Sequence, residues 1–226
     1  NLGEISRVLK QAAGRGARLV IFPECALTGY NYASRAEALD QTQTLPGPAS
    51  QQLAAITRQL NVYTVFGLLE KDGERIFNSA ALLGPEGLIG VYRKTHLPTL
   101  GVDRFLDPGA GPLEVFTTPL GRIGILICYD SVFPECPRVL ALKGADILAL
   151  PTNFPEGKAV RIIEHVLPAR TIENRVYLVA ANRVGTERGT VFAGRSRIID
   201  TTGEVIASAS ADTEELILAE IEPETA

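Results

Sequence analysis

Arg15-Gly-Ala-Arg-Leu-Val-Ile-Phe-Pro23 and Lys143-Gly-Ala-Asp-Ile-Leu-Ala-Leu-Pro151 share one pattern, in which a glycine follows a helix and a short apolar strand then runs to a proline. Helical periodicity precedes both stretches, over Leu2–Ala13 and about Pro134–Lys143. Two such units, each with a helix on one face of a strand, predict an α/β fold in which two sheets pack face to face between outer helices. The same pattern also occurs in other α/β proteins, so more of the chain is needed to decide the fold.

The rest of the chain adds strands, two further helices and one long loop. Strands are expected near Val62–Leu69, Arg75–Leu83, Leu88–Arg93, Leu113–Thr118, Arg122–Cys128, Asp146–Leu150, Val176–Arg183, Gly194–Asp200, Glu204–Ala209 and Glu215–Ile221, and helices over Gln51–Leu60 and Ala159–Arg175. Leu97–Pro112 holds three prolines and three glycines with little periodicity. An ordered loop of this length more often has a function than not.

Composition narrows the class of partner. The 226 residues carry a formal net charge of −4, and lysine and arginine do not gather into a patch that would neutralise several phosphates, which argues against nucleic acid. The longest uncharged apolar stretch, Ile123–Tyr129, is too short to span a bilayer, so no membrane partner is expected. A small-molecule substrate is the better expectation.

Metal and cofactor motifs are not indicated. The three cysteines, Cys25, Cys128 and Cys136, form no C-x-x-C pair, which favours neither a disulfide framework nor a thiolate zinc site and fits a reducing cytoplasm. His96 and His165 lie in different segments without a second histidine at ligand spacing. Gly14-Arg-Gly16 follows a helix, the reverse of the order in a dinucleotide-binding loop. We therefore expect a mechanism without metal or cofactor.

Three residues at predicted strand ends are candidates for chemistry. Cys128 closes an apolar strand and precedes a polar turn, where a side chain and backbone N–H groups are presented together; the alternative is a small buried hydrophobe. Glu24 follows the strand that ends in Phe22-Pro23, and its alternative is a turn or helix cap. Lys94 follows the strand Leu88–Arg93, and its alternative is an exposed ion pair.

Taken in order, the segments around these residues resemble the nitrilase superfamily of carbon–nitrogen hydrolases. The blocks that carry the resemblance are Phe22-Pro-Glu24, Tyr92-Arg-Lys-Thr-His-Leu97, Ile127-Cys-Tyr-Asp130, Phe133-Pro-Glu135, Ala141-Leu-Lys-Gly-Ala-Asp146, Pro151-Thr-Asn153, Ala169-Arg170, Glu173-Asn174 and Ala181-Asn-Arg183, so it covers nearly the whole chain. The resemblance implies a four-layer α-β-β-α sandwich and a single domain over residues 1–226. Compared with the family, the chain is expected to lack the usual first strand and to be truncated at both ends.

The resemblance also implies a Glu-Lys-Cys triad of Glu24, Lys94 and Cys128. A cysteine thiol is mostly protonated at neutral pH, so it needs an adjacent base, here Glu24, to become a nucleophile. Lys94 and the backbone N–H of Tyr129 are expected to stabilise the oxyanion that forms on the amide oxygen.

Other residues in the matching blocks extend the candidate site. Many members of the family carry a second glutamate in the loop after the lysine block, where this chain offers Asp103; a solvent-facing aspartate is the alternative. Tyr30, Tyr129, Thr152 and Asn153 are candidates for lining the substrate pocket.

Several functions stay open at this point. Cys128-Tyr-Asp130 resembles the amidase-like members, which predicts release of ammonia from a small linear amide through a thioester. N-carbamoyl amine or amino-acid hydrolases and nitrilases of the same family are the alternatives. Two alternatives do not use the Glu-Lys-Cys mechanism. One is a Cys-His hydrolase that uses His96 or His165, and the other is a catalytically silent binding module. The resemblance further implies a homodimer or higher homo-oligomer, with Ala159–Arg175 as the candidate contact helix.

Overall fold

The computed structural model describes residues 1–226, and the chain divides into two compact units, Asn1–Gly111 and Pro112–Ala226. Each unit contains a sheet and helices, which confirms the predicted α/β class. None of the helices has the length and apolarity that a membrane span requires. That the whole chain is one domain stays a prediction.

The first unit is built on a four-stranded sheet. Its elements are α1 (Leu2–Gly14), β1 (Leu19–Ile21), α2 (Arg35–Leu39), α3 (Pro48–Leu60), β2 (Tyr63–Asp72), β3 (Arg75–Gly84) and β4 (Gly87–Arg93). The strands lie in the order β1-β2-β3-β4, with β1 parallel to β2 and the other pairs antiparallel. The chain therefore leaves β1, β2 and β4 at the same edge of the sheet, which brings distant segments together there.

Local sequence explains the helices of this unit. Ile5, Leu9 and Ala12 recur at helical spacing in α1, and all three are buried. Pro48 occupies the first turn of α3, where its missing N–H costs nothing, so this helix begins three residues before the predicted Gln51. α3 packs on β3 and β4.

The second unit is built on a six-stranded sheet. Its elements are β5 (Val115–Thr118), β6 (Gly121–Ile125), α4 (Glu135–Leu142), β7 (Ile147–Thr152), α5 (Leu167–Asn174), β8 (Tyr177–Asn182), β9 (Val184–Glu187), β10 (Thr190–Ala193), β11 (Arg197–Ile199) and β12 (Val205–Ser208). The order is β12-β11-β8-β7-β6-β5, with β6, β7 and β8 parallel; β9 and β10 form a separate hairpin. Apolar side chains of α4, α5, β7 and β8 form the core.

The predicted helix Ala159–Arg175 is not a regular α-helix. Ile162–Val166 is a π-helical turn, and α5 follows it. Pro168 lacks an N–H, so a carbonyl in the preceding turn needs another donor, and that of Ile163 accepts a bond from Arg197 Nη1 at 3.1 Å. The proposed role of this segment in an oligomer stays a prediction.

Three strand predictions need correction. β6 ends at Ile125, so Cys128 lies in a 3-10 turn and not in the strand Arg122–Cys128. Glu215–Ile221 belongs to no strand, because an apolar pattern does not supply a ladder partner. The hairpin of β9 and β10 is missing from the prediction; its two-residue turn places Arg188 and Gly189 at φ of 47° and 83°.

Candidate active site

Lys94 is the centre of a buried charged cluster in the first unit. It follows β4 directly, and its side chain is fully buried. Its Nζ lies 2.6 Å from Oε1 of Glu24 and 2.6 Å from Oδ2 of Asp103, whose side chains are also fully buried. The three residues that the sequence nominates from this unit as catalytic thus form one ion-paired cluster. An exposed ion pair for Lys94 and a solvent-facing position for Asp103 are both excluded.

Glu24 reaches this cluster because the chain turns sharply after β1. Cys25 adopts a left-handed backbone with φ of 50°, an uncommon conformation for a residue with a Cβ. The turn passes directly over β2 at Gly67, where a Cβ would come within 2.8 Å of the Glu24 Cα. Glycine at position 67 is therefore what allows the backbone of Glu24 to approach the sheet so closely.

Burial raises the pKa of Glu24 above the ordinary value of 4.5, and the charge of Lys94 opposes the rise while that of Asp103 adds to it. One cation faces two fully buried carboxylates, so Glu24 holds a proton more readily there than in water. A carboxyl group whose pKa is raised in this way is better suited to accept and return a proton than one of ordinary pKa.

The loop after β4 holds Asp103 in a short 3-10 turn, Gly101–Phe105, and bonds to β3 through Asp107 and Ile76. Gly101 has φ of 54°, and a Cβ there would overlap the ring of Tyr30. The Tyr30 hydroxyl donates to Asp103 Oδ2 at 3.3 Å, so this residue contacts the charged cluster. Further along the loop, the N–H of Ile76 donates to Asp107 Oδ2 at 3.0 Å. The predicted long loop is thus ordered around Asp103.

Asn78 of β3 joins the cluster. Its Nδ2 donates to Glu24 Oε1 at 2.7 Å and to Asp103 Oδ1 at 2.8 Å. No sequence motif identifies Asn78 as a site residue. A signal was present, because Asn78 is a polar residue inside the apolar run Ile76–Leu83, and a buried amide needs hydrogen-bond partners.

Cys128 of the second unit is held by its backbone. It begins a 3-10 turn, Cys128–Val132, just beyond β6, and its φ of 45° is left-handed. Asp130 Oδ2 accepts the N–H of Ile127 at 3.1 Å, and Ser131 Oγ donates to the Cys128 carbonyl at 2.7 Å. The guanidinium of Arg170 donates to the carbonyls of Ser131 and Val132, both at 2.9 Å. These bonds fix the strained turn that carries the thiol.

The other nominated residues of the second unit lie at the carboxyl ends of its strands or next to Cys128. Tyr129 stacks edge-on against Phe133, with 5.3 Å between the ring centroids. Thr152 ends β7 and donates to Asn182 Oδ1 at 2.8 Å, and Asn153 follows it, buried. Because β6 and β7 are parallel, Cys128, which follows β6, and Thr152, which ends β7, lie at the same edge of the sheet.

The three cysteines differ in how they are placed. None is in a disulfide, and all three are buried. Burial raises the pKa of the Cys136 thiol to about 12, which makes it a poor nucleophile. Cys25 donates to Asn78 Oδ1 at 3.6 Å. Of the three, Cys128 occupies the turn geometry that presents a side chain together with the first N–H groups of a helical turn.

Comparison with known proteins gives the family of the chain and its relatives. The sequence profile of the family described as carbon–nitrogen hydrolase matches residues 1–226. A nitrilase of Pyrococcus abyssi is 42% identical over 98% of this chain and 83% of its own length, and an omega-amidase of Danio rerio is 33% identical over 98% and 82%.

A solved structure of an amidase from Nesterenkonia sp. AN1, a glutamate-to-glutamine mutant with acrylamide added to its active-site cysteine, is 27% identical and has a TM-score of 0.83. The match covers 94% of this chain and 83% of that one. This likeness confirms the fold class that the sequence predicts.

Proposed function

The chain belongs to the carbon–nitrogen hydrolase family, and we propose that it is an amidase that releases ammonia from a small linear amide through a thioester on Cys128. It is an enzyme of the nitrilase superfamily. Its relatives include an omega-amidase and an amidase of which a glutamate-to-glutamine mutant has acrylamide added to its active-site cysteine. The small primary amide is inferred from these two relatives and from the chemistry of the nominated residues.

In the proposed first half-reaction, Glu24 accepts the thiol proton of Cys128 and the sulfur attacks the amide carbon. The C=O pair moves to oxygen, and the ammonium of Lys94 and the N–H of Tyr129 stabilise the resulting oxyanion. As the C–N bond breaks, Glu24 returns the proton to the departing nitrogen, which leaves as ammonia. The product on the enzyme is an acyl thioester.

In the second half-reaction, water replaces the thiol as the nucleophile. Glu24 accepts a proton from that water, the oxygen attacks the thioester carbon, and the C–S bond breaks. The proton returns to the sulfur, the carboxylic acid leaves, and the enzyme is regenerated. Glu24 thus accepts and returns a proton twice, a task that its raised pKa supports.

The observation that carries this proposal is the full burial of Lys94 between two carboxylates. Withdrawing a lysine ammonium from water costs several kcal/mol, and a protein has better-packed alternatives for stability alone. A buried cation next to a carboxyl of raised pKa is typical of a site that moves protons and stabilises developing negative charge.

A nitrilase is the second candidate, because the relative of Pyrococcus abyssi with 42% identity bears that name. A nitrile places nitrogen, and not oxygen, where the negative charge develops. The same thiol and proton donor would serve both reactions, so substrate preference distinguishes the two.

The test is an ammonia-release screen over short amides, nitriles and ureido acids, with the wild type, Cys128→Ala and the control Cys136→Ala. We expect ammonia from amides, without carbon dioxide, for the wild type and for Cys136→Ala, and none for Cys128→Ala. Release from nitriles alone would favour the second candidate, and carbon dioxide from ureido acids would indicate an N-carbamoyl hydrolase. No ammonia together with an unreactive Cys128 thiol would contradict catalysis.

A further inference from the structure

Asn78 is a polar residue at a buried position of a largely apolar strand. It lies in β3 within the buried run Ile76–Leu83 and is 1% exposed. An amide in such a place costs stability unless its donors and its acceptor are all bonded. The hydrogen bonds that Asn78 makes therefore indicate its role.

Asn78 bonds to each of the three charged residues of the cluster. Its two side-chain N–H groups go to Glu24 Oε1 at 2.7 Å and Asp103 Oδ1 at 2.8 Å, and its backbone carbonyl accepts the N–H of Lys94 at 2.8 Å. An asparagine has two side-chain N–H donors, so both are used on carboxylates.

The orientation of this amide is fixed by its neighbours. The Cys25 thiol donates to Asn78 Oδ1 at 3.6 Å, while the two carboxylates opposite accept. A flipped amide would point its oxygen at two carboxylates, which is unfavourable, and would remove the acceptor that the Cys25 thiol uses. Cys25 thus holds the donors of Asn78 toward Glu24 and Asp103.

We propose that Asn78 is a positioning residue for the reaction, which orients the Glu24 carboxylate and stabilises its ionised form; this inference rests on the proposed function above. Both Asn78 Nδ2 and Lys94 Nζ bond to the same oxygen of Glu24, Oε1. Two donors on one oxygen fix the rotation of the carboxylate and therefore the direction in which its other oxygen faces.

The charges around Glu24 explain why a neutral donor is needed there. Lys94, at the end of β4, stabilises the ionised form of Glu24, whereas Asp103 of the loop destabilises it. The Tyr30 hydroxyl donates to Asp103, and the Cys25 thiol donates to Asn78. One ammonium does not neutralise two buried carboxylates. The two N–H groups of Asn78 add stabilisation to both without adding a charge.

The test compares pH profiles of amide hydrolysis for Asn78→Ala, Asn78→Asp and the control Ser79→Ala. Ser79 is the neighbouring buried polar residue, and its hydroxyl donates to Glu70 at 2.6 Å, outside the cluster. In Asn78→Ala we expect the acid limb of kcat/KM to move up by about one pH unit, with kcat lowered about 10- to 100-fold and KM nearly unchanged.

The aspartate variant should move the acid limb further. Asn78→Asp keeps the size of the side chain but places a third carboxylate beside Glu24, so the acid limb should shift by more than in Asn78→Ala. Ser79→Ala should keep the wild-type limb. A merely structural role would lower the amount of folded enzyme without moving the limb.

The pH profiles decide whether Asn78 positions Glu24. A wild-type acid limb in whichever Asn78 variant folds would overturn it, and so would failure of both variants to fold, since Asn78 would then serve the structure alone. If the wild type hydrolyses amides and the limb does not move, the positioning role fails while the proposed function stands. If the wild type releases no ammonia, the proposed function fails and the positioning role falls with it.

Discussion

The two units hold their nominated residues by opposite means. In the first unit, Glu24, Lys94 and Asp103 are held by side-chain hydrogen bonds among charges, with both carboxylate distances to Lys94 Nζ at 2.6 Å. In the second unit, Cys128 is held by its backbone, in a left-handed turn fixed by Ser131 and Arg170.

In the first unit, we expect catalysis and stability to depend on the same side chains. In the second unit, we expect the catalytic side chain to be replaceable with little loss of stability. Removing one member of a buried ion-paired cluster leaves an uncompensated charge, so catalysis and folding should suffer together. A side chain on a turn that the backbone holds can change with little effect on the fold. Variants in each unit test this contrast, and replacing the nucleophile should reduce turnover the most.

Cys128→Ala should lose about 10⁴-fold or more of turnover, because the nucleophile is gone. Its free energy of unfolding should change by less than about 1 kcal/mol, because the bonds of the turn involve backbone groups and other side chains. Ammonia release and urea denaturation measure the two quantities. A large loss of stability would show that the thiol side chain, and not the backbone, maintains this turn.

Lys94→Met should lose both stability and turnover. Without the ammonium, Glu24 and Asp103 repel each other in a buried site, and we expect a loss of about 3–5 kcal/mol in the free energy of unfolding. Turnover should fall at least about 100- to 1000-fold, as for the loss of an oxyanion donor.

The exposed Lys10 of α1 provides the control, since Lys10→Met removes a lysine from the surface. It should change neither stability nor turnover appreciably. A fully stable Lys94→Met variant would remove the contrast between the two units.

Gly67→Ala tests whether the backbone approach after β1 positions Glu24. The added methyl would come within 2.8 Å of the Glu24 Cα, so the turn must shift, at a cost of about 1–3 kcal/mol. Turnover should fall with it, while Gly111→Ala, which meets open space, should keep wild-type stability and activity. Thermal denaturation with initial rates provides the comparison.

The smallest effect concerns pH. Glu24 acts as a base when it is ionised, and burial raises its pKa above 4.5, so activity should begin to fall at a pH above that value as the solution is made more acidic. A profile of kcat/KM against pH measures this limb. An acid limb at or below 4.5 would show that the carboxyl of the first unit is not held as described.

Sequence alone predicted what depends on local pattern. The helix-glycine-strand stretches at residues 15–23 and 143–151 became the junctions α1–β1 and α4–β7, with Gly16 and Gly144 at φ of 89° and 87°. Glu24, Lys94 and Asp103 were nominated from motif order, and the structure brings these three together.

What sequence missed depends on contacts between distant residues. Asn78 bonds to residues 54 and 25 positions away, and nothing in its own strand reveals these partners. The π-helical turn depends on Pro168 together with an arginine from β11. The apolar pattern of Glu215–Ile221 predicts a strand, but a strand forms only where a partner offers its backbone.

We propose that Glu24 of the first unit and Cys128 of the second act in one reaction. The test is intact-mass and peptide analysis of Glu24→Gln after incubation with acrylamide, the reagent that adds to the active-site cysteine in a glutamate-to-glutamine mutant of the related amidase. An irreversible adduct can accumulate over a long incubation from the small ionised fraction of the thiol, whereas turnover needs Glu24 as the base. We therefore predict one adduct, on Cys128, no adduct on Cys25 or Cys136, and loss of the ammonia release that we expect of the wild type. Ammonia release at the wild-type rate from Glu24→Gln, or an adduct on another cysteine, would contradict the claim.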